Sequence, residues 1–204
     1  MIILEDRLIF VHIQKTGGTA INRALGTEDH PKEKHRTASE LKSLYGATAW
    51  DESYKFAFVR NPWDRLVSWW SMIDGQRAHI ENTGQANIFF KYVLENATTF
   101  EEFICNCQNE INDTDGIKCI FRNQIDYLTD DNEKMIVDFI GRFENLSTDF
   151  ATVTTKIYGT PKNLPIVNSS HHAAYQSYYT HHTQQLVADA YARDIKAFGY
   201  TFAS

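Results

Sequence analysis

The stretch Phe10–Leu25, FVHIQKTGGTAINRAL, constrains this chain more than any other. An apolar run suited to a strand, Leu8–Ile13, breaks at Gln14-Lys15-Thr16-Gly17-Gly18-Thr19, and helix-compatible residues follow at once. A strand, a tight glycine turn and a helix start form a socket of backbone N–H groups. The helix dipole and a lysine add positive potential to it. Such a socket takes an anion. The lysine precedes the paired glycines, whereas a nucleotide triphosphatase loop reads G-x-x-x-x-G-K-[ST], with the lysine after them. The expected anion is a phosphate other than the γ-phosphate of ATP.

A second segment narrows the choice. Phe56–Val59 is a short apolar run that ends in Arg60-Asn61-Pro62-Trp63-Asp64-Arg65-Leu66-Val67-Ser68. Asn61 suits a helix N-cap and Pro62 the first helical position. Leu66, Trp69, Trp70 and Ile73 recur at i, i+3, i+4, i+7, the buried stripe of a helix. Arg60 is thereby placed at a strand's carboxyl end and Ser68 about two turns into the next helix. Both then fall within reach of one anionic group beside the first loop.

HIQKTGGT followed by VRNPWDRLVS resembles the sulfotransferase superfamily, in particular its carbohydrate-type branch with HIPKTGGT and RNPxDRLVS. The resemblance runs from about Ile9 to Tyr200 and is weaker between Asp74 and Asp113. It implies a cosubstrate, 3′-phosphoadenosine 5′-phosphosulfate. Lys15, Thr16, Gly17, Gly18 and Thr19 match the motif that holds its 5′-phosphosulfate. Arg60 and Ser68 match the pair that holds its 3′-phosphate. Gln14 stands where the family usually has proline, which adds an N–H and some flexibility. The resemblance also implies a hydroxyl-bearing acceptor, by analogy a carbohydrate.

Sulfuryl transfer to a hydroxyl needs a base for the proton and positive charge on the departing phosphate oxygen. Lys15 supplies that charge. No metal is required, because the transferred group is less charged than a phosphoryl. Histidine is the natural base near neutral pH. His35 precedes Thr37-Ala38-Ser39-Glu40, a capping box that starts a helix just after it, and a nearby helix N-terminus favours the neutral imidazole. It also lies between the two cofactor motifs, as does the catalytic histidine of carbohydrate-type relatives. The plainer alternative is a surface histidine ahead of a cap, and His30 and Glu33 are next in line as base. His12 reads as packing or loop orientation. His30 and His79 read as solvated. His171, His172, His181 and His182 form two adjacent pairs whose neighbours do not share a helix face, which argues against a metal site.

Other residues have competing roles. Trp63 fits either adenine contact or core, and Asp64 and Arg65 fit structural pairs. Tyr175, Tyr178 and Tyr179 fit a sugar-stacking wall or core. Gln124 resembles a recurrent family glutamine of no assigned role. Asn168-Ser169-Ser170 resembles a loop that folds over the cofactor in relatives, though His171 and His172 stand where a basic residue is common.

The remaining features bound the class. At 204 residues with 43% hydrophobic and 13% aromatic content, the chain is expected to form one domain, residues 1–204, with a substantial core. A net charge of −6 offers no global field for nucleic acid, an anionic membrane or a polysulfated acceptor. Cys105, Cys107 and Cys119 make an odd count with no paired framework, as in reduced cytosolic proteins. No run approaches the ~20 apolar residues of a membrane span. The amino terminus, MIILEDRLIF, is too short and too acidic for a signal peptide, so a cytoplasmic protein is expected.

The βα alternation predicts an α/β fold, a central parallel sheet flanked by helices, with its sites at the carboxyl ends of strands in a P-loop-like arrangement. Strands are expected at 8–13, 55–60, 134–137 and 140–143. Helices are expected at 19–25, 38–45, 62–73, 86–96, 100–107, 147–158 and 180–198, with irregular chain at 74–86 and 109–115. Two rivals remain. A P-loop kinase would use Asp138, after Met135–Val137, as its Mg²⁺ carboxylate. A non-catalytic nucleotide- or sugar-binding module would keep the fold without turnover.

Overall fold

Leu8–Val11 is a run of apolar residues, Tyr54–Val59 is apolar or aromatic apart from Lys55, and both are buried at nearly every position. Strands of that kind belong inside a parallel sheet covered on both faces. The computed structural model describes residues 2–3, 7–27, 33–114, 116–165 and 173–203. They group into two compact units, residues 1–60 with 124–168 and residues 61–123 with 169–204.

The first unit carries the sheet. Its strands are β1 (Ile2–Ile3), β2 (Leu8–Val11), β3 (Tyr54–Val59) and β6 (Phe139–Arg142), in the order β1-β2-β3-β6. β2, β3 and β6 are parallel, with Phe10 opposite Phe56 and Phe56 opposite Phe139, and β1 is an antiparallel edge. The expected parallel sheet is present. Helices α1 (Gly18–Leu25), α2 (Ala38–Tyr45), α3 (Ala47–Glu52) and α8 (Leu146–Tyr158) complete this unit. Leu8, Phe10, Ile21, Leu25, Phe56, Phe58, Phe150 and Val153 make its core. The Thr37–Glu40 capping box forms as expected, with Thr37 Oγ1 taking the Glu40 N–H and Glu40 taking that of Thr37.

Residues 134–137 do not form the predicted strand. Their only ladder contact is an isolated bridge between Thr129 and Met135, because β3 is already paired with Phe139–Arg142. Asp138 consequently lies at the start of β6. Its carboxylate takes the Lys55 N–H at 2.7 Å and pairs with Lys55 Nζ at 2.9 Å. A Mg²⁺-holding aspartate of a kinase would sit at the opposite, carboxyl end of the strand. Asp138 is a structural residue, and the kinase reading loses its metal ligand.

The second unit is helical: α4 (Pro62–Asp74), α5 (Arg77–Thr83), α6 (Ile88–Asn96), α7 (Phe100–Asn106), α9 (His181–Ala190) and α10 (Ala192–Phe198), with a hairpin of β4 (Ile111–Asp113) and β5 (Gly116–Lys118). Asn61 caps α4 through the Trp63 N–H, and Pro62 opens it. Three segments depart from expectation. The 74–86 stretch holds α5, anchored by Arg77, which bonds Asp74 at 2.8 Å and the Ala97 carbonyl at 2.9 Å. The 109–115 stretch enters a hairpin pinned by the buried Asp113–Lys118 pair at 2.8 Å. The single terminal helix is two, broken at Tyr191. There the Asn123 side chain donates to the Ala190 carbonyl and accepts the Asp194 N–H, so it caps both helices at once.

Trp63 and the tyrosines resolve as core. The Trp63 indole N–H donates to the Gln184 carbonyl, Tyr179 donates to the Trp63 carbonyl, and Phe100 lies edge-on to Tyr178 and Tyr179. Arg65 is fully buried and donates to the Arg122 carbonyl and the Tyr191 hydroxyl, a structural role. The three cysteines are free thiols.

Candidate functional site

The parallel strands of the first unit deliver two segments to one edge of the sheet. β2 ends at Val11 and β3 at Val59, and the glycine loop and Arg60 leave from those carboxyl ends. The loop is built from backbone geometry. Lys15 and Gly17 both have positive φ, +68° and +88°, which turns successive amides toward one side before α1 begins. The first intrahelical bonds run from Ala20 and Ile21 to the Gly17 carbonyl. The Gly18 and Thr19 amides open the helix and have no carbonyl a turn earlier to bond.

Gly18 is fixed by sterics. A Cβ there would come within 1.9 Å of the His12 ring, so the imidazole lies directly against the backbone. His12 therefore orients the loop, one of the two roles its position allowed. Thr16 is buried and its hydroxyl donates to the Ile13 carbonyl at 2.9 Å. With that proton committed, only its backbone N–H is left to give to an anion. Thr19 is exposed at the start of the helix. Gln14, at the position of the family proline, is buried, and its side-chain oxygen takes the Tyr127 hydroxyl at 2.7 Å.

Arg60 is held from three sides. Gln124 accepts its N–H at 2.9 Å and donates to its carbonyl at 2.8 Å. The guanidinium lies 3.9 Å from the Phe143 ring centroid and donates to the Lys15 carbonyl at 3.2 Å. Burial and the Arg60 charge together lower the Lys15 ammonium to about 8.

His35 joins the same cluster. Its backbone is left-handed, φ +62°, and its ring lies edge-on to that of His12 with centroids 4.5 Å apart. Ring contacts continue from His12 to Phe10 and from Phe10 to Phe56, so the candidate base is referenced to the sheet itself. His35 Nδ1 is 3.0 Å from the His12 carbonyl. A carbonyl only accepts, so Nδ1 carries the proton and the neutral ring has its lone pair on Nε2.

Of the residues expected at the site, Lys15, Thr16, Gly17, Gly18, Thr19, His35 and Arg60 fall in the first unit. Ser68 is buried on α4 in the second. His30, Asn168, Ser169, Ser170, His171 and His172 lie outside the described residues. His181 and His182 are exposed at the start of α9. The parts that sequence reasoning missed are the Gln124 clamp, the Tyr127–Gln14 bond and the Phe143 platform. Family resemblance marked the Gln124 position, but nothing in the local pattern gave its partner.

The model of the sulfotransferase family matches residues 1–201, and the chain belongs to that family. It is accordingly a transferase that moves a sulfuryl group from a sulfate donor to a hydroxyl-bearing acceptor. An uncharacterized protein of Archaeoglobus fulgidus is 32% identical over 127 residues, which cover 62% of this chain and 84% of that protein. Among the described residues, no helix is long and apolar enough to cross a membrane.

Proposed function

We propose that the donor is 3′-phosphoadenosine 5′-phosphosulfate, that the acceptor is a carbohydrate hydroxyl, and that His35 is the base. Residues 1–204 act as one domain in this reading, since the family match runs continuously through both units. The amides of Thr16, Gly17, Gly18 and Thr19 hold the 5′-phosphate at the start of α1. Arg60, and on the strength of its sequence spacing Ser68, take the ribose 3′-phosphate. The proximity of two cations, Lys15 and Arg60, suits a donor with phosphates at both ends of its ribose.

The carrying observation is the bond between His35 Nδ1 and the His12 carbonyl. It leaves Nε2 as the basic atom on a ring packed against the residue that orients the phosphate loop. Transfer is in line. The acceptor oxygen bonds to sulfur as the bond from sulfur to the 5′-phosphate oxygen breaks. His35 Nε2 receives the hydroxyl proton, and Lys15 meets the negative charge that builds on the departing oxygen.

His35→Ala tests the assignment in single-turnover assays with radiolabelled donor and a panel of sugars. Transfer should fall by roughly 10²–10⁴ while affinity for adenosine 3′,5′-bisphosphate stays unchanged. Retained transfer would move the role to Glu33 or His30. Tight bisphosphate binding with no turnover on any acceptor would leave a binding module.

A further inference from the structure

A short 3₁₀ turn, Ile125–Tyr127, lies beside both phosphate-binding segments of the first unit. Side chains at i and i+3 eclipse on such a turn, so Gln124 and Tyr127 project to the same side. Gln124 is fully buried and spends both its amide atoms on the Arg60 backbone. Tyr127, equally buried, holds Gln14, the residue before Lys15, through its hydroxyl. Two residues on, the Thr129 carbonyl accepts the Ser39 hydroxyl of α2 at 3.4 Å, and α2 is the helix that His35 precedes. One stretch of chain is thus bonded to the Arg60 segment, the Lys15 loop and the base-bearing helix.

We propose that Gln124–Thr129 is a spacer that fixes the separation of the two phosphate-binding half-sites, with Gln124 and Tyr127 as positioning residues that select a 3′,5′-bisphosphorylated nucleoside. The inference rests on the donor assignment above. Its physical basis is preorganisation. A ligand with two phosphates gains over one with a single phosphate only when both half-sites are already at the spacing of the ribose. A half-site that drifts still takes a lone phosphate, because the ligand drifts with it.

The test compares adenosine 5′-phosphate, adenosine 3′-phosphate and adenosine 3′,5′-bisphosphate by calorimetric titration of the wild type, Gln124→Leu and Tyr127→Phe. Each variant should bind the two monophosphates within about twofold of wild type. The bisphosphate should bind about fivefold more weakly to Tyr127→Phe, which loses one buried hydrogen bond, and at least as much more weakly to Gln124→Leu, which loses two. Proportional weakening of all three ligands, or an unchanged margin for the bisphosphate in both variants, overturns the spacer role. Gln124→Leu strands a buried N–H and carbonyl on Arg60; if it does not fold, Tyr127→Phe, which removes one hydroxyl, decides alone. A wild type that binds the bisphosphate no better than a monophosphate overturns the donor assignment, a result distinct from failure of the spacer.

Discussion

The glycine loop after β2 and the Arg60 segment leave neighbouring strands at the same edge of the sheet, yet they are made in opposite ways. The loop is made of backbone. Its shape comes from positive φ at Lys15 and Gly17 and from a missing Cβ at Gly18, where the His12 ring presses in. The Arg60 segment is made of side chains. A glutamine 64 residues away bridges its peptide groups, and an aromatic ring supports its guanidinium. A site made of backbone presents fixed dipoles and is suited to charge that changes during reaction. A site made of side chains presents one strong charge, here held in place by its neighbours, and is suited to recognition.

If that division holds, Lys15→Ala has the largest effect of any change to the two segments, and has it on turnover. On the proposed reading Lys15 meets the negative charge that builds on the leaving oxygen, so its contribution should grow toward the transition state. The single-turnover rate constant with saturating donor should fall by roughly 10²–10³, the usual range for losing one preorganised electrostatic partner. A normal rate constant with weaker donor binding would reduce Lys15 to an anchor and erase the contrast.

Arg60→Ala should behave in the converse manner. It removes a charge-assisted contact, about 1.5–3 kcal/mol, and so weakens adenosine 3′,5′-bisphosphate at least tenfold. Adenosine 5′-phosphate, which lacks the 3′ group, should bind almost as before. Equal losses for both nucleotides, measured by titration, would show that Arg60 serves the loop and not a separate half-site.

The same contrast explains what could be read from the sequence. The loop is local: strand, glycines and helix follow one another, so its strand–turn–helix shape can be read from residue order alone. The start of α4 is equally local, since Asn61 and Pro62 are capping signals that act within one turn. His35 stands out in the sequence as a candidate base through its capping box, and the structure adds the His12 carbonyl that accepts from its Nδ1. Gln124 and Tyr127 could not be paired with Arg60 and Gln14, because those bonds join distant residues with no periodicity to mark them. The missed elements have the same origin. The hairpin at 111–118 depends on a buried Asp113–Lys118 pair, and the break at Tyr191 on Asn123, each a tertiary contact overriding a local reading. The strand misplaced at 134–137 was an apolar run that lost the competition for β3 to Phe139–Arg142.

The smallest expected effect is on pH, and it separates the two segments by charge chemistry. Burial and the neighbouring Arg60 hold the Lys15 ammonium at about 8, below its usual value, whereas a guanidinium stays charged throughout the accessible range. As pH rises through 8, Lys15 in the ligand-free protein loses its proton and the loop loses its charge. With the ligand's phosphates fully ionised, bisphosphate affinity should then decline by up to about tenfold between pH 7 and 9, in proportion to the charged fraction of Lys15. The sign follows from linkage: the bound anion favours the ammonium, so binding takes up a proton above pH 8. Lys15→Arg keeps a permanent charge and should bind the bisphosphate with no such decline, whatever it does to turnover. Titrations in buffers of different ionisation enthalpy would register the proton uptake directly. A decline of the same size in Lys15→Arg would assign the titration to another group and leave both segments uniformly charged across this range.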